Sequence, residues 1–178
     1  MFILPAIFLL LISNIANAKT FKLGEYEIKA AFIYNFTKFI EWPKETFADD
    51  QTPIKICIVG DDPFGDAFES IQGKTAKGRK MTIERVSSNK DLKKCNIAFI
   101  SSSEREHISK IVESSIALNI LTIADTESYI KKGVVINFIV KDNKVSFAIN
   151  IDAAKRSELQ ISSILLRLAK IIRDSNRE

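Results

Sequence analysis

The sequence predicts an α/β domain: one sandwich with a mainly parallel sheet, helices on both faces and a C-terminal hairpin at the sheet's edge. Three observations carry this. Short apolar runs without polar alternation, such as Ile54–Val59 and Asn96–Ile100, read as strands buried on both faces. Segments of helical pattern lie between them, the order expected of parallel strands with crossover helices. No low-complexity stretch, repeat or Pro/Gly-rich linker divides residues 19–178, so a single domain is expected.

The elements follow in order. Glu25–Trp42 reads as a helix that Pro43 ends. Ile54–Val59 is a strand stopped by Gly60. A helix is expected from about Pro63 to Ile71, then a polar loop containing Gly73 and Gly78. Met81–Val86 is the second strand, with a helical turn near Lys90–Lys93. Asn96–Ile100 is the third strand, and Glu104–Ser114 a helix. Ile120–Ala124 is the fourth strand, and Glu127–Lys132 a short helix closed by Gly133. Val134–Val140 and Lys144–Ile149 form a hairpin across Asp142-Asn143, a dipeptide suited to a tight turn. A final helix is expected from Ile161 to Arg173.

Composition removes several function classes. The 26 Lys and Arg stand against 22 Asp and Glu, and the two signs alternate along the chain. That is not the concentrated basic footprint of a nucleic-acid binder. Two cysteines cannot make a four-ligand zinc site, and the single histidine has no metal-ligand spacing. No metal and no cofactor are expected, the alternative being a metal-assisted enzyme that uses Asp61.

The N-terminus reads as a secretory leader. Phe2–Ile12 is apolar apart from Pro5, and Ala16-Asn17-Ala18 is an A-x-A cleavage signature. As a helix the run spans roughly 16 Å, about half the hydrocarbon core, so a permanent span is not expected. Cleavage after Ala18 makes the protein periplasmic; an uncleaved anchor or a buried helix is the rival reading. Export bears on Cys57 and Cys95. In an oxidising compartment two thiols of one small domain are expected to pair, two buried free thiols being the alternative.

Candidate chemistry gathers where strands end. Gly60-Asp61-Asp62-Pro63-Phe64-Gly65 follows the first strand, at the end where open α/β sheets bind ligands. Asp62 suits a cap and Pro63 a first helical position, which leaves Asp61 for a ligand. Ser101, Ser102 and Ser103 follow the third strand, and Asp125 follows the fourth. Asp61, Ser101, Ser102 and Asp125 therefore form a candidate ligand rim if the strands are parallel. A serine nucleophile needs a histidine base. The only candidate, His107, lies between Glu106 and Ile108 in a helix and is expected to be solvated. Gly73-Lys74-Thr75 matches the last residues of a phosphate loop, but Phe68 stands where its first glycine must be.

Hydrophobic faces suggest partners. In the first helix Ile28, Ala31, Phe32, Phe36, Phe39 and Trp42 share one face, and Ile33 and Ile40 widen the apolar arc to roughly 200°. Either the helix is buried nearly all round, or Ile33, Phe36 and Ile40 offer a second surface to a partner or a dimer mate. The last helix poses the same question. Ile161, Ile164, Leu165, Leu168, Ile171 and Ile172 leave only a thin stripe of Arg167, Lys170 and Arg173.

The blocks "EYEIKAAFIYNFTKFIEWP", "IKICIVGDDPFGDAF", "GKTAKGR", "IAFISSSE" and "INIDAAKRSELQISSILLRLAK", in this order, resemble the YfiR family from about Glu25 to Arg173. The resemblance implies an exported, non-enzymatic regulator. Its namesake represses an inner-membrane diguanylate cyclase by binding the periplasmic sensor region, which lowers cyclic-di-GMP and limits biofilm formation. It further implies release of repression by an OmpA-like outer-membrane lipoprotein, dimers, and a Cys57–Cys95 bridge. Some relatives carry a second cysteine pair that this chain lacks. A sensor kinase is the other membrane signalling protein that fits.

Overall fold

The computed structural model of the chain describes residues 24–86 and 89–174. The leader falls outside them. The first helix, α1, occupies residues 24–39. It stops three residues before the expected Trp42 because Ile40–Glu41 (β1) pair antiparallel with Gln160–Ile161 (β9).

Among the described residues the main sheet has eight strands. They are β2 (Ile54–Val59), β3 (Thr75–Ala76), β4 (Arg79–Val86), β5 (Ile97–Ile100), β6 (Leu121–Ala124), β7 (Ile136–Lys141), β8 (Lys144–Asn150) and β10 (Lys170–Ile172). Their spatial order is β10-β8-β7-β6-β5-β2-β4-β3. From β4 through β2, β5 and β6 to β7 every neighbouring pair is parallel. The mainly parallel sheet is therefore as expected. Asp142 and Asn143 both take positive φ, 49° and 58°, and close the β7–β8 hairpin as a tight turn with the twist of its strands.

Two packed clusters cover the sheet, one on each face. Ala30, Ile33, Phe36 and Ile40 from α1 and β1 pack over Ile54, Ile56, Ile58, Phe99, Ile123, Phe138 and Ile149. On the other face Ile108, Ile111 and Val112 of α2 (Ile108–Ala117) pack against Val59, Ala98, Ile100 and Ala124. Alternate residues of β2 thus serve opposite cores, as a pleated strand requires. That is why its pattern is almost continuously apolar.

Cys57 and Cys95 are joined, with Cα atoms 5.8 Å apart. The bridge lies in the α2-side cluster, and neither residue is more than 5% exposed.

Three expectations about elements are corrected. The helix expected from Pro63 is a 3₁₀ segment, Gly65–Ser70. The hairpin is not the sheet's edge, since β10 lies outside β8 and pairs parallel with it. The helix expected over Ile161–Arg173 divides into β9, a short α4 (Ser163–Leu168) and β10. The cause is tertiary. Ala169 turns extended (ψ 152°), and Lys170–Ile172 then pair with Ala148–Asn150. Asp174 fixes the strand's end: it accepts from Asn150 Nδ2 at 2.8 Å, pairs with Arg156, and its N–H donates to Asp152 at 3.0 Å. Side-chain periodicity reports none of this, because the outer edge of β8 needs partners whatever local propensity favours.

Candidate functional site

The parallel register brings the carboxyl ends of β2, β5 and β6 side by side, so Asp61, Ser101, Ser102 and Asp125 do follow adjacent strands at one end of the sheet. What each does there differs. Asp61 is exposed, and its N–H donates to Ser103 Oγ at 3.0 Å. Asp62 accepts from the Phe64 N–H at 2.8 Å and pairs with Arg85 at 2.6 Å, a local turn-forming role. Ser101 is only 5% exposed and its Oγ caps the 3₁₀ turn Ser102–Glu104. Ser102 is exposed, and its carbonyl lies 3.4 Å from the Tyr129 hydroxyl.

Asp125 is engaged by groups whose part the sequence reading missed. Lys29, on α1, has its ammonium 2.7 Å from Asp125 Oδ2, in contact with Glu25 and 4.2 Å above the Tyr26 ring. The Tyr26 hydroxyl donates to the same carboxylate at 2.9 Å. Lys29 is 1% exposed, so its charge is tolerated only because two carboxylates and a ring face surround it. The signal was present in the spacing: Glu25 and Lys29 stand at i and i+4, on the side of the helix that carries Ile33, Phe36 and Ile40. This group latches the start of α1 to the end of β6.

Burial pushes the Tyr26 hydroxyl pKa up, and the adjacent Asp125 charge adds to it. The folded chain therefore keeps this proton at pH values where the unfolded chain loses it, above about pH 10. Stability is unaffected below that value and falls as pH rises past it. Urea unfolding between about pH 9 and pH 11 should show a shallower loss in Tyr26→Phe than in wild type; identical slopes would refute this role.

The loop after β2 is shaped by one close approach. Gly60 has φ +87°, and a Cβ there would stand 2.3 Å from Ser103 Oγ and 2.9 Å from Glu104. Gly60→Ala should cost about 1–3 kcal/mol in chemical unfolding and shift the Ser103 and Glu104 resonances. A variant as stable as wild type would show that the two loops are not in contact.

His107 is solvated, as expected: its side chain is 67% exposed, with Nδ1 3.3 Å from Glu104 Oε2. No group of three or more His, Cys, Asp or Glu side chains that could hold a metal occurs among the described residues. A groove of about 550 Å³ lies elsewhere, between the 41–50 loop and the start of β4, lined by Trp42, Phe47, Lys77 and Arg79. Its charges are largely matched internally. Arg79 sits 4.1 Å over the Phe47 ring and donates to the Thr52 carbonyl at 2.9 Å, and Lys77 pairs with Glu41.

The partner surface expected at Ile33, Phe36 and Ile40 is corrected. They are 0%, 1% and 0% exposed and lie in the core beneath α1. The Phe36 ring packs 4.8 Å from Phe147 and 5.9 Å from Phe138. Ile28, which the sequence put on the core face, is 46% exposed. The wide apolar arc hid the helix's rotation, because Phe32 on its shoulder also reaches the sheet, 5.6 Å from Phe147.

These features define a class: a one-domain α/β protein with an internally latched rim and a solvated histidine. The sequence matches the YfiR/HmsC-like family over residues 26–170, more than half of the chain, and the protein belongs to that family. The family is regulatory rather than catalytic, and periplasmic. Among the described residues no helix is long and apolar enough to cross a membrane. Two solved structures also align. One is a conserved domain protein from Vibrio cholerae O1 biovar eltor, at 12% identity over 66% of this chain and 54% of that chain, TM-score 0.46. The other is an ABC domain in complex with L-Trp from Streptococcus pneumonia, at 10% identity over 67% of this chain and 55% of that one, TM-score 0.47. The chain thus spans little more than half the length of either. No curated protein matches it.

Proposed function

We propose that this protein is exported after cleavage behind Ala18, binds the periplasmic part of a membrane signalling protein, and represses a diguanylate cyclase, so lowering cyclic-di-GMP. The family match over residues 26–170 carries this reading. The rim supports it: Asp125, Lys29 and Tyr26 are spent on holding α1, which favours a surface that is contacted over a centre that turns over substrate. A regulator of this kind acts by preferring one conformation of its target and shifting the target's population. A sensor kinase in the cyclase's place, an OmpA-like lipoprotein that relieves repression, and a homodimer belong to the same proposal.

Deleting the gene should raise cyclic-di-GMP and biofilm several-fold, with the wild-type copy restoring both. Levels unchanged in the deletion and under overproduction would overturn the reading. N-terminal sequencing of the periplasmic protein should begin at Lys19.

A small-molecule sensor is the second reading, and it rests on Asp61 and Ser102, the two rim residues that stay exposed. Thermal-shift screening against nucleotides and amino acids tests it. A stabilising ligand whose effect is lost in Asp61→Asn supports it, and a flat screen removes it.

A further inference from the structure

We infer that the outer edge of β10, with the face of α4 beside it, is a docking site for an extended, acidic segment of a partner protein. The inference rests on the regulatory reading above and gives that regulator its contact surface. Ile164, Leu168 and Ile171 are 48%, 69% and 41% exposed, the densest run of exposed large aliphatic side chains in the described chain. Arg167, Lys170 and Arg173 are interleaved with them, all exposed and none in an ion pair with another described residue. Among the described residues β10 ends the sheet and pairs with β8 alone, so its other edge has no strand partner there. A lysine alone is the ordinary guard of an edge strand. Three cations with no ion pair among the described residues, set among three exposed aliphatic side chains, go beyond that.

The charges and the strand edge together select the occupant. A second copy docking through the same patch by a two-fold axis would bring like charges together, which is unfavourable. A lipid surface would satisfy the cations but offers no extended backbone to pair with the strand edge. An added strand with acidic side chains satisfies all three features: backbone hydrogen bonds along β10, apolar contact with Leu168 and Ile171, and ion pairs to Arg167, Lys170 and Arg173.

The test uses the protein as purified from the periplasm and three probes: a blocked peptide alternating valine with glutamate, its lysine counterpart, and phosphatidylglycerol vesicles. The acidic peptide should shift and protect the amides of Lys170–Ile172, and bind about tenfold more weakly at high salt or to Lys170→Glu. Leu168→Glu, at an exposed position, should weaken binding while leaving the circular dichroism unchanged. Equal binding of both peptides, or shifts confined elsewhere, would overturn the proposal. Vesicle binding without peptide binding would assign the patch to lipid, and a concentration-dependent dimer protecting β10 would assign it to a second copy; either overturns it too. In cells, the Leu168→Glu/Lys170→Glu chain should fail to restore repression in the deletion strain. Full restoration sinks the docking site alone, whereas a deletion without phenotype sinks the regulatory reading and leaves the peptide experiment to decide the site.

Discussion

Ile33→Glu should abolish the folded state. Ile33 is 0% exposed and lies on the underside of α1 among Phe36, Ile40 and the apolar residues of the central strands. The cation one turn away, Lys29, is already held by Glu25 and Asp125. A carboxylate at position 33 would therefore lack a partner of its own, and an unpaired buried charge costs more than a domain's usual margin of about 5–15 kcal/mol can spare. The truncation Ile33→Ala separates packing from charge: it should remain folded and lose about 2–5 kcal/mol in urea unfolding. Phe36→Ala should lose about 3–5 kcal/mol, because its ring meets both Phe138 and Phe147. Leu168→Glu is the control, 69% exposed, and should change stability by no more than about 0.5 kcal/mol. A folded, stable Ile33→Glu protein would mean that α1 does not pack on the sheet with this rotation.

Opening the Cys57–Cys95 bridge is the second large effect. The cysteines are 38 residues apart, and the bridge limits the unfolded chain more than the folded one. Chain-entropy reasoning places its contribution at about 3–4 kcal/mol. Cys57→Ala/Cys95→Ala should show that loss in unfolding midpoints measured without reductant, and wild type should approach the double variant when dithiothreitol is added. Alanine is the better replacement because the site is apolar, and a serine hydroxyl would add its own burial cost. The loss should appear as faster unfolding if the bridge constrains contacts that form late. Equal stability of the oxidised and reduced chains would show that the bridge is not formed in solution.

These two results probe what the sequence revealed unevenly. The core strands were legible because a strand buried on both faces has to be apolar at nearly every position, as in Ile54–Val59 and Ile97–Ile100. The hairpin was legible because Asp142-Asn143 tolerates the left-handed turn. The rim was legible in part. Parallel strands must bring their carboxyl ends to one side, so Asp61, Ser101, Ser102 and Asp125 follow neighbouring strands at one end of the sheet. What Asp125 is engaged with was not, because its partners Lys29 and Tyr26 lie 96 and 99 residues away in the chain.

The rotation of α1 shows the same limit. An apolar arc of roughly 200° contains more than one face that could turn inward, and periodicity does not choose between them. The sheet chooses, by placing Phe138 and Phe147 where Phe36 and Phe32 can reach them. The C-terminal segment goes further, for there the structure overrides a clear helical pattern to give the outer edge of β8 a partner.

By itself, then, the sequence determined the fold class, the family and the place where polar residues gather, since burial and turn geometry constrain residue types position by position. The tertiary structure alone decided which apolar residues are core and which are surface. It also decided what Asp125 holds and where the sheet ends. Those depend on contacts between residues far apart in the chain, where the free energy of burying a side chain or pairing a strand edge exceeds the few tenths of a kcal/mol per residue of local preference.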